Sequence, residues 1–445
     1  MDYKDLAQDL VAQAQKLGAT ESEVYLQYRD RFEVNIRQGD IETLTRATSK
    51  GLGLRLFVEG QLGFGYTSDF SSDALENLVE KTLALAREST PDQYHGLPQE
   101  KVTELPELNL FDPYLAEVED ETKIQMARDM EKAAFAYDAR INNTEESSYR
   151  DHIGTVIIAN SRGLLSSYTA TSVELSCTTV AEEQGRKQVG WWWSHKRFFK
   201  DLASPESIGE KAAQRTVRML NARKVKTQKV PVVFDPQAGA SFWQAIFGAL
   251  NGDAVYKKAS FLAGKLGDKV ASDLVTLIDD GTLPGGLGSR PFDGEGIPTR
   301  RKIILEKGIL KTYFYDTYTA RKVGVSPTGN AVRDYSTTPA IGPTNFFLQT
   351  GPHTPEEIIA SVKNGLYLVW MMGMGANLVT GDYSRGAYGI WIENGELAYP
   401  VHEITVAGNM EEMMKNITMV GNDLEFMGAI ASPTFKVAEM TVSGR

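Results

Sequence analysis

Five histidines, one cysteine and a set of loop carboxylates are the side chains of this 445-residue chain with metal-binding or nucleophilic chemistry. The histidines, His95, His152, His195, His353 and His402, are scattered, and the nearest two, His152 and His195, stand 43 residues apart. A helix that grips a metal usually presents two such ligands within a turn or two, so no local pair forms. His402 and Glu403 are adjacent, but neighbours on a strand point to opposite faces. Each histidine therefore reads as structural or solvated. Cys177 is alone, which excludes an intrachain disulfide and a multi-thiolate zinc site and fits a reducing compartment. Asp279, Asp280, Asp293 and Glu295 fall in glycine-rich loops at a spacing that matches no calcium loop, and are expected to be solvated. No nucleophile elbow and no phosphate-loop motif occurs. The Gly285–Gly288 and Gly373-Met374-Gly375 clusters flank no βαβ unit and read as tight turns.

Trp191-Trp192-Trp193, followed by His195, Lys196 and Arg197, mixes aromatic and basic groups. On a strand, Trp191 and Trp193 share one face and Trp192 takes the other, which suits packing or contact with a peptide. With 47 basic against 58 acidic residues the net charge is −11, so the chain lacks the overall basic balance that phosphate neutralisation needs, and no nucleic-acid partner is expected. The nearly uncharged stretch Gly365 to Val379 is too short and glycine-rich to span a bilayer, and the acidic N-terminus is unlike a signal peptide. No membrane partner and a cytoplasmic location are expected.

The elements that would position these groups make an α+β chain. A helix over Asp5 to Leu17 precedes short strands between Val24 and Tyr66, broken at Gln38-Gly39-Asp40, Ser49-Lys50-Gly51 and Glu59-Gly60. Ser71 or Ser72 caps a helix to Glu88. The proline-bearing interval 90–113 reads as a linker between units of about 1–95 and 110–225. The second unit carries a helix over Glu119 to Tyr137, long hairpins between Ile141 and Phe199 turning at Asn160 to Gly163, and a helix over Ser207 to Asn221. A boundary near 226 opens a β-rich C-terminal domain over 226–445, with hairpin turns at Lys307-Gly308 and Asn394-Gly395, a helix near Met410 to Ile417 and a last strand over Phe435 to Val442.

The C-terminal residues carry a resemblance. Asp279-Asp280-Gly281-Thr282-Leu283-Pro284-Gly285-Gly286-Leu287-Gly288-Ser289-Arg290-Pro291-Phe292-Asp293, Thr328-Gly329-Asn330-Ala331, Gly381-Asp382-Tyr383-Ser384-Arg385-Gly386, Trp391-Ile392-Glu393-Asn394-Gly395 and Val420-Gly421-Asn422-Asp423 together resemble the TldD/TldE (PmbA) family, often labelled modulators of DNA gyrase. Its TldD-type members carry H-E-x-x-x-H on a helix early in this domain and a cysteine ligand near the C-terminus. Here the corresponding helix, Ser241 to Leu250, reads Trp243-Gln244-Ala245-Ile246-Phe247-Gly248 at those positions, and the tail through Met427 to Pro433 has no cysteine. Indole nitrogen has no free lone pair, an amide is no general base near neutral pH, and glycine offers no ligand. Trp243, Ile246, Phe247 and Leu250 instead form an apolar stripe.

The resemblance is thus to the TldE/PmbA type, a degenerate metalloprotease helix in an intact scaffold. It implies a noncatalytic subunit of a peptidase acting on unfolded peptides, with no catalytic residue or metal in this chain and zinc in a TldD-type partner. Trp243, Gln244, Tyr383, Ser384 and Arg385 are the expected peptide-cleft residues. The partner is a TldD-type paralogue in a heterodimer, or a second copy in a homodimer. The rival readings are a stand-alone homodimer that binds peptide or regulates another protein without hydrolysis, and an independent hydrolase with a rebuilt metal site.

Overall fold

The computed structural model describes residues 2–99, 104–373 and 375–444. Six strands, β1 (Glu21–Arg37), β2 (Asp40–Val58), β3 (Gln61–Thr67), β4 (Ile141–Asn160), β5 (Leu165–Glu183) and β6 (Arg186–Lys196), form one antiparallel sheet in the order β3-β2-β1-β4-β5-β6. Three of its hairpins turn on two residues of positive φ, Gln38-Gly39, Glu59-Gly60 and Gln184-Gly185, the geometry that matches the twist of paired strands. Ser49-Lys50-Gly51 is no turn, contrary to expectation. Lys50 and Gly51 pair with Tyr28 and Gln27 of β1, and a Cβ on Gly51 would lie 2.2 Å from the Tyr335 ring. Glycine is there for a close approach.

Period-two burial puts Val24, Leu26, Phe32, Val34 and Ile36 of β1 on one face. The first two lie in a core with helices α1 (Tyr3–Lys16) and α2 (Ser72–Glu88), and the last three in a core with α3 (Asp120–Tyr137) and α4 (Pro205–Val217). α3 and α4 touch backbone to backbone: a Cβ on Gly209 would sit 2.0 Å from the Met130 carbonyl oxygen. α4 is shorter than its apolar pattern suggested, the chain leaving the helix as turns after Val217. β2 pairs with β3 only from Leu52 onward, and residues 40–50 are all exposed, leaving a long outer strand edge.

The other face of β1 meets the C-terminal half through charge. Arg55 of β2 donates from Nε to Glu23 (3.2 Å) and from both Nη atoms to Glu295 (3.1 and 3.2 Å), and Arg333 Nη2 donates to Glu23 (2.7 Å). Tyr25 lies under the Arg333 guanidinium at 4.2 Å, and Gln27 accepts from the Tyr335 backbone. The interval 90–113, read as a linker, also packs here, Arg321 donating to the carbonyls of Tyr94 and Leu97; its residues 100–103 lie outside the described residues, as does Met374.

The loop acids are buried, not solvated. Asp279 pairs with Lys302 (3.0 Å) and accepts from Asn330 and the Thr344 backbone, and Asp280 accepts from the Thr282 hydroxyl. Asp293 accepts three backbone N–H groups, from Glu295, Ile297 and Ala331. Burial and the neighbouring Glu295 carboxylate outweigh those donors and push Asp293 up to about 7. Between its ordinary value and that one, the folded chain holds a proton the unfolded chain has lost. The contribution to stability is therefore full at acid pH and disappears as pH rises through about 7. Asp293→Asn should flatten the pH dependence of the urea midpoint between about pH 5 and 7; an unchanged slope would contradict the assignment.

In the C-terminal half, β7 (Gln228–Phe234) runs parallel to Asn364–Met372 and antiparallel to Phe435–Ser443. The hairpin Asp382–Glu393 with Glu396–Asn409 turns at Asn394-Gly395, both of positive φ, and Glu396–Asn409 pairs back to Phe435–Ser443, closing the sheet into a barrel. A second sheet holds Leu277–Asp280, Arg301–Glu306 and Phe346–Leu348, with Ile430–Ala431 along its edge. Helix α5 (Pro236–Ala249) packs against both sheets in the largest core of the molecule. It begins five residues before the expected Ser241: Asp235 caps it by accepting from the Gln237 N–H, and Pro236 takes the first-turn position where no N–H is needed. No helix among the described residues is long and apolar enough to cross a membrane.

Candidate functional site

α5 shows one face to an open groove of about 320 Å³, walled by β6 of the central unit and by the tail segment Glu425 to Ser432. Pro236, Gln237, Ala240, Ser241 and Gln244 line it from the helix, the 3.6-residue spacing of a single stripe. Trp193, Trp370 and Met427 supply its apolar surface. Each aromatic is fixed from behind. Trp193 Nε1 donates to the Met427 carbonyl oxygen (3.1 Å), and Trp191 stands edge-on to Trp370 at 4.8 Å. Trp192, on the opposite face of β6, packs under Arg215 at 5.0 Å. Arg215 Nη2 donates to Gln237 Oε1 (3.0 Å) and its Nη1 lies 3.6 Å from Asp235, so the start of α5 is held by a side chain of α4.

The five expected cleft residues separate. Gln244 is exposed in the groove. Arg385 reaches its wall indirectly, Nη1 donating to Ser241 Oγ (2.7 Å) with Nε buried and unpartnered. Ser384 is exposed on its strand and is not among the groove-lining residues. Trp243 is 0% exposed beneath α5, its ring against Phe242 (5.0 Å) and Phe435 (5.6 Å) and its Nε1 donating to Ser432 Oγ (3.2 Å). Tyr383, 1% exposed, packs edge-on against Phe242, and burial pushes its phenol up to about 12. These two support the groove from inside; large aromatics on the apolar stripe of α5 and on an inward strand position go to the core. The alternation of the Trp191–Trp193 run placed Trp193 and Trp191 on a common face, whereas nothing in the sequence tied Trp370 or Met427 to it.

A catalytic zinc does not fit this helix. Positions 243, 244 and 248 offer no imidazole, carboxylate or thiolate, and a Cβ on Gly248 would already lie 3.1 Å from Leu378. Glu425 is the one carboxylate in the groove lining, and it stands 3.7 Å from Lys196. Among the described residues no group of three or more His, Cys, Asp or Glu could hold an ion. Cys177 is buried in the α3–α4 core, its thiol pushed up to about 12 by that burial.

A long helix-covered antiparallel sheet is joined to a barrel domain whose first helix fronts an aromatic groove. Three domain families match in order: PmbA/TldA metallopeptidase domain 1 over residues 22–86, the central domain over 113–220 and the C-terminal domain over 227–444. The metalloprotease PmbA of Escherichia coli is 34% identical, the alignment covering 99% of this chain and 97% of that protein. The chain belongs to the PmbA/TldD family. A Bacteroides thetaiotaomicron protein crystallised as a candidate modulator of DNA gyrase superposes with a TM-score of 0.92 at 31% identity over all of both chains. TldE of Thermococcus kodakarensis shares the fold, with a TM-score of 0.89 at 24% identity over 98% of this chain and 99% of that one.

Proposed function

We propose that this chain is the noncatalytic, TldE/PmbA-like subunit of a TldD/TldE-type metallopeptidase complex that degrades or processes unfolded peptides in the cytoplasm. One observation carries the reading: α5 is a capped, 14-residue helix with one stripe in the groove, while the three positions that would bind and activate a zinc-bound water hold an indole, an amide and no side chain. In this account the TldD-type partner supplies the zinc and the general base. This chain supplies one wall of the cleft, with Trp193, Trp370 and Met427 taking an apolar side chain of an extended peptide whose backbone is satisfied along a strand edge. The exposed β2 edge over residues 40–50 favours a partner, since a long unpaired edge invites strand addition. The same edge is compatible with antiparallel pairing to a second copy, the stand-alone homodimer that binds peptide without cleaving it. The net charge of −11 gives no general basic character for DNA, so a gyrase phenotype would be an indirect effect of proteolysis.

Coexpression with a paralogue bearing H-E-x-x-x-H, followed by a peptidase assay on an unfolded peptide, tests the assignment. Activity should appear only in the two-chain complex and vanish with chelator. Peptide cleavage by this chain alone at the rate of the complex would overturn it, and a complex that never forms while the chain dimerises with itself would leave the homodimeric binder as the correct reading.

A further inference from the structure

We propose that a second pocket, remote in character from the groove, binds a small multiply charged oxyanion, a phosphate or the carboxylates of a small polyacid. The pocket holds about 220 Å³ between the long sheet and the glycine-rich loop of the C-terminal half. Its floor is the face of the sheet opposite the four helices, where Arg29 of β1, Gly154 of β4 and Ala170 of β5 stand in register across three strands. His152 and Arg197 close one side, and Arg290 on the loop closes the other. No lining residue is acidic among the described residues.

Three guanidiniums thus share a cavity in a chain whose net charge is −11. Their existing partners leave that charge largely uncompensated. Arg197 donates to the carbonyl oxygens of Thr171 (2.9 Å), Gly286 (3.2 Å) and Leu287 (2.7 Å), none of them ionised, and burial lowers its pKa. Arg290 donates through Nη2 to the Pro343 carbonyl (3.3 Å), and its Nε is buried with no partner. Arg29 alone meets a carboxylate, Asp334 at 3.0 Å, where both side chains remain substantially exposed. Burying cations without counter-charge is unfavourable, and an unpartnered buried N–H adds to it. An oxyanion removes both costs, because guanidinium forks match its geometry.

The floor carries little side-chain bulk of its own. Gly154 gives its space to the His152 ring, whose Cε1 would lie 2.6 Å from a Cβ there, and Ala170 presents one methyl group. The volume is several times the ~30 Å³ share of one water, and falls below the roughly 300 Å³ at which drug-sized ligand pockets begin. Phosphate or a small polycarboxylate fits; a nucleotide does not. Since Arg29 belongs to the N-terminal half and Arg290 to the C-terminal half, a bound anion would tie the two together.

The test uses the full chain in phosphate-free buffer, titrated separately with sodium phosphate and sodium citrate against sodium chloride at matched ionic strength, by calorimetry and thermal unfolding. Phosphate or citrate should bind saturably at one site per chain and raise Tm, with chloride doing neither, and the tighter of the two identifies the source of the oxyanion. Arg290→Gln should weaken that binding at least tenfold. Ala170→Glu, which sets a carboxylate on the floor without removing an arginine, should raise Tm in the absence of anion and abolish the response. No saturable binding of either anion by the unaltered chain, or binding undiminished in both variants, would overturn the proposal.

Discussion

Arg55→Met is expected to cost about 3–5 kcal/mol of folding stability, because it leaves two buried carboxylates facing one another across the interface of the chain's halves. Glu23 is 0% and Glu295 2% exposed, and Arg55 bridges them with three hydrogen bonds. Arg333 remains on Glu23, but Glu295 is left beside the carboxyl groups of Asp293 and Asp316, both of which burial and the Glu295 charge push up. The measurement is the urea midpoint at neutral pH. Adding Glu295→Gln to Arg55→Met should restore part of the loss, since it removes the carboxylate that lost its partner. A single substitution within about 0.5 kcal/mol of the unaltered chain, the range of ordinary surface changes, would show that the quartet is solvated and that the halves are joined by other means.

Trp243→Ala should destabilise the chain by a similar amount, about 3–5 kcal/mol, the usual range for removing a fully buried large aromatic. The indole fills the space between Phe242 and Phe435, and its N–H satisfies Ser432, a groove-lining residue. Trp243→Phe keeps most of the volume and loses the hydrogen bond, so it should lie between the two. Denaturant unfolding of both variants, read beside peptidase activity of the two-chain complex, separates support from contact. Loss of activity in Trp243→Ala at unchanged stability would mean that the indole touches peptide, contrary to its position under α5.

The helices and hairpins were legible wherever one periodicity ran unbroken. α1 and α2 show their inward stripes in the sequence, and Gln38-Gly39, Glu59-Gly60 and Asn394-Gly395 are turns in both readings, each with a glycine that takes positive φ without strain. Gly51 misled because a glycine required by the Tyr335 ring looks the same, in one dimension, as a glycine that bends the chain. The acidic loop misled for a related reason. Asp279, Asp293 and Glu295 are polar residues among glycines, a surface pattern, yet their partners Lys302, Arg55 and several backbone N–H groups come from distant segments. For the groove, the missing ligand chemistry of α5 was visible residue by residue. Its apolar lining was not, since Trp193, Trp370 and Met427 converge only when β6, the strand Asn364–Met372 and the tail are brought together.

Under the proposed function α5 has no metal chemistry of its own, and what holds it is the packing of Trp243, Ile246 and Phe247 together with its capped start. Elemental analysis of the chain purified alone from zinc-supplemented medium, compared with the two-chain complex, tests this most directly. The account predicts less than about a tenth of an equivalent of zinc on the chain alone and about one per complex, as one catalytic site with an open water position in the partner would give. One tightly held zinc per chain in the absence of any partner would contradict it.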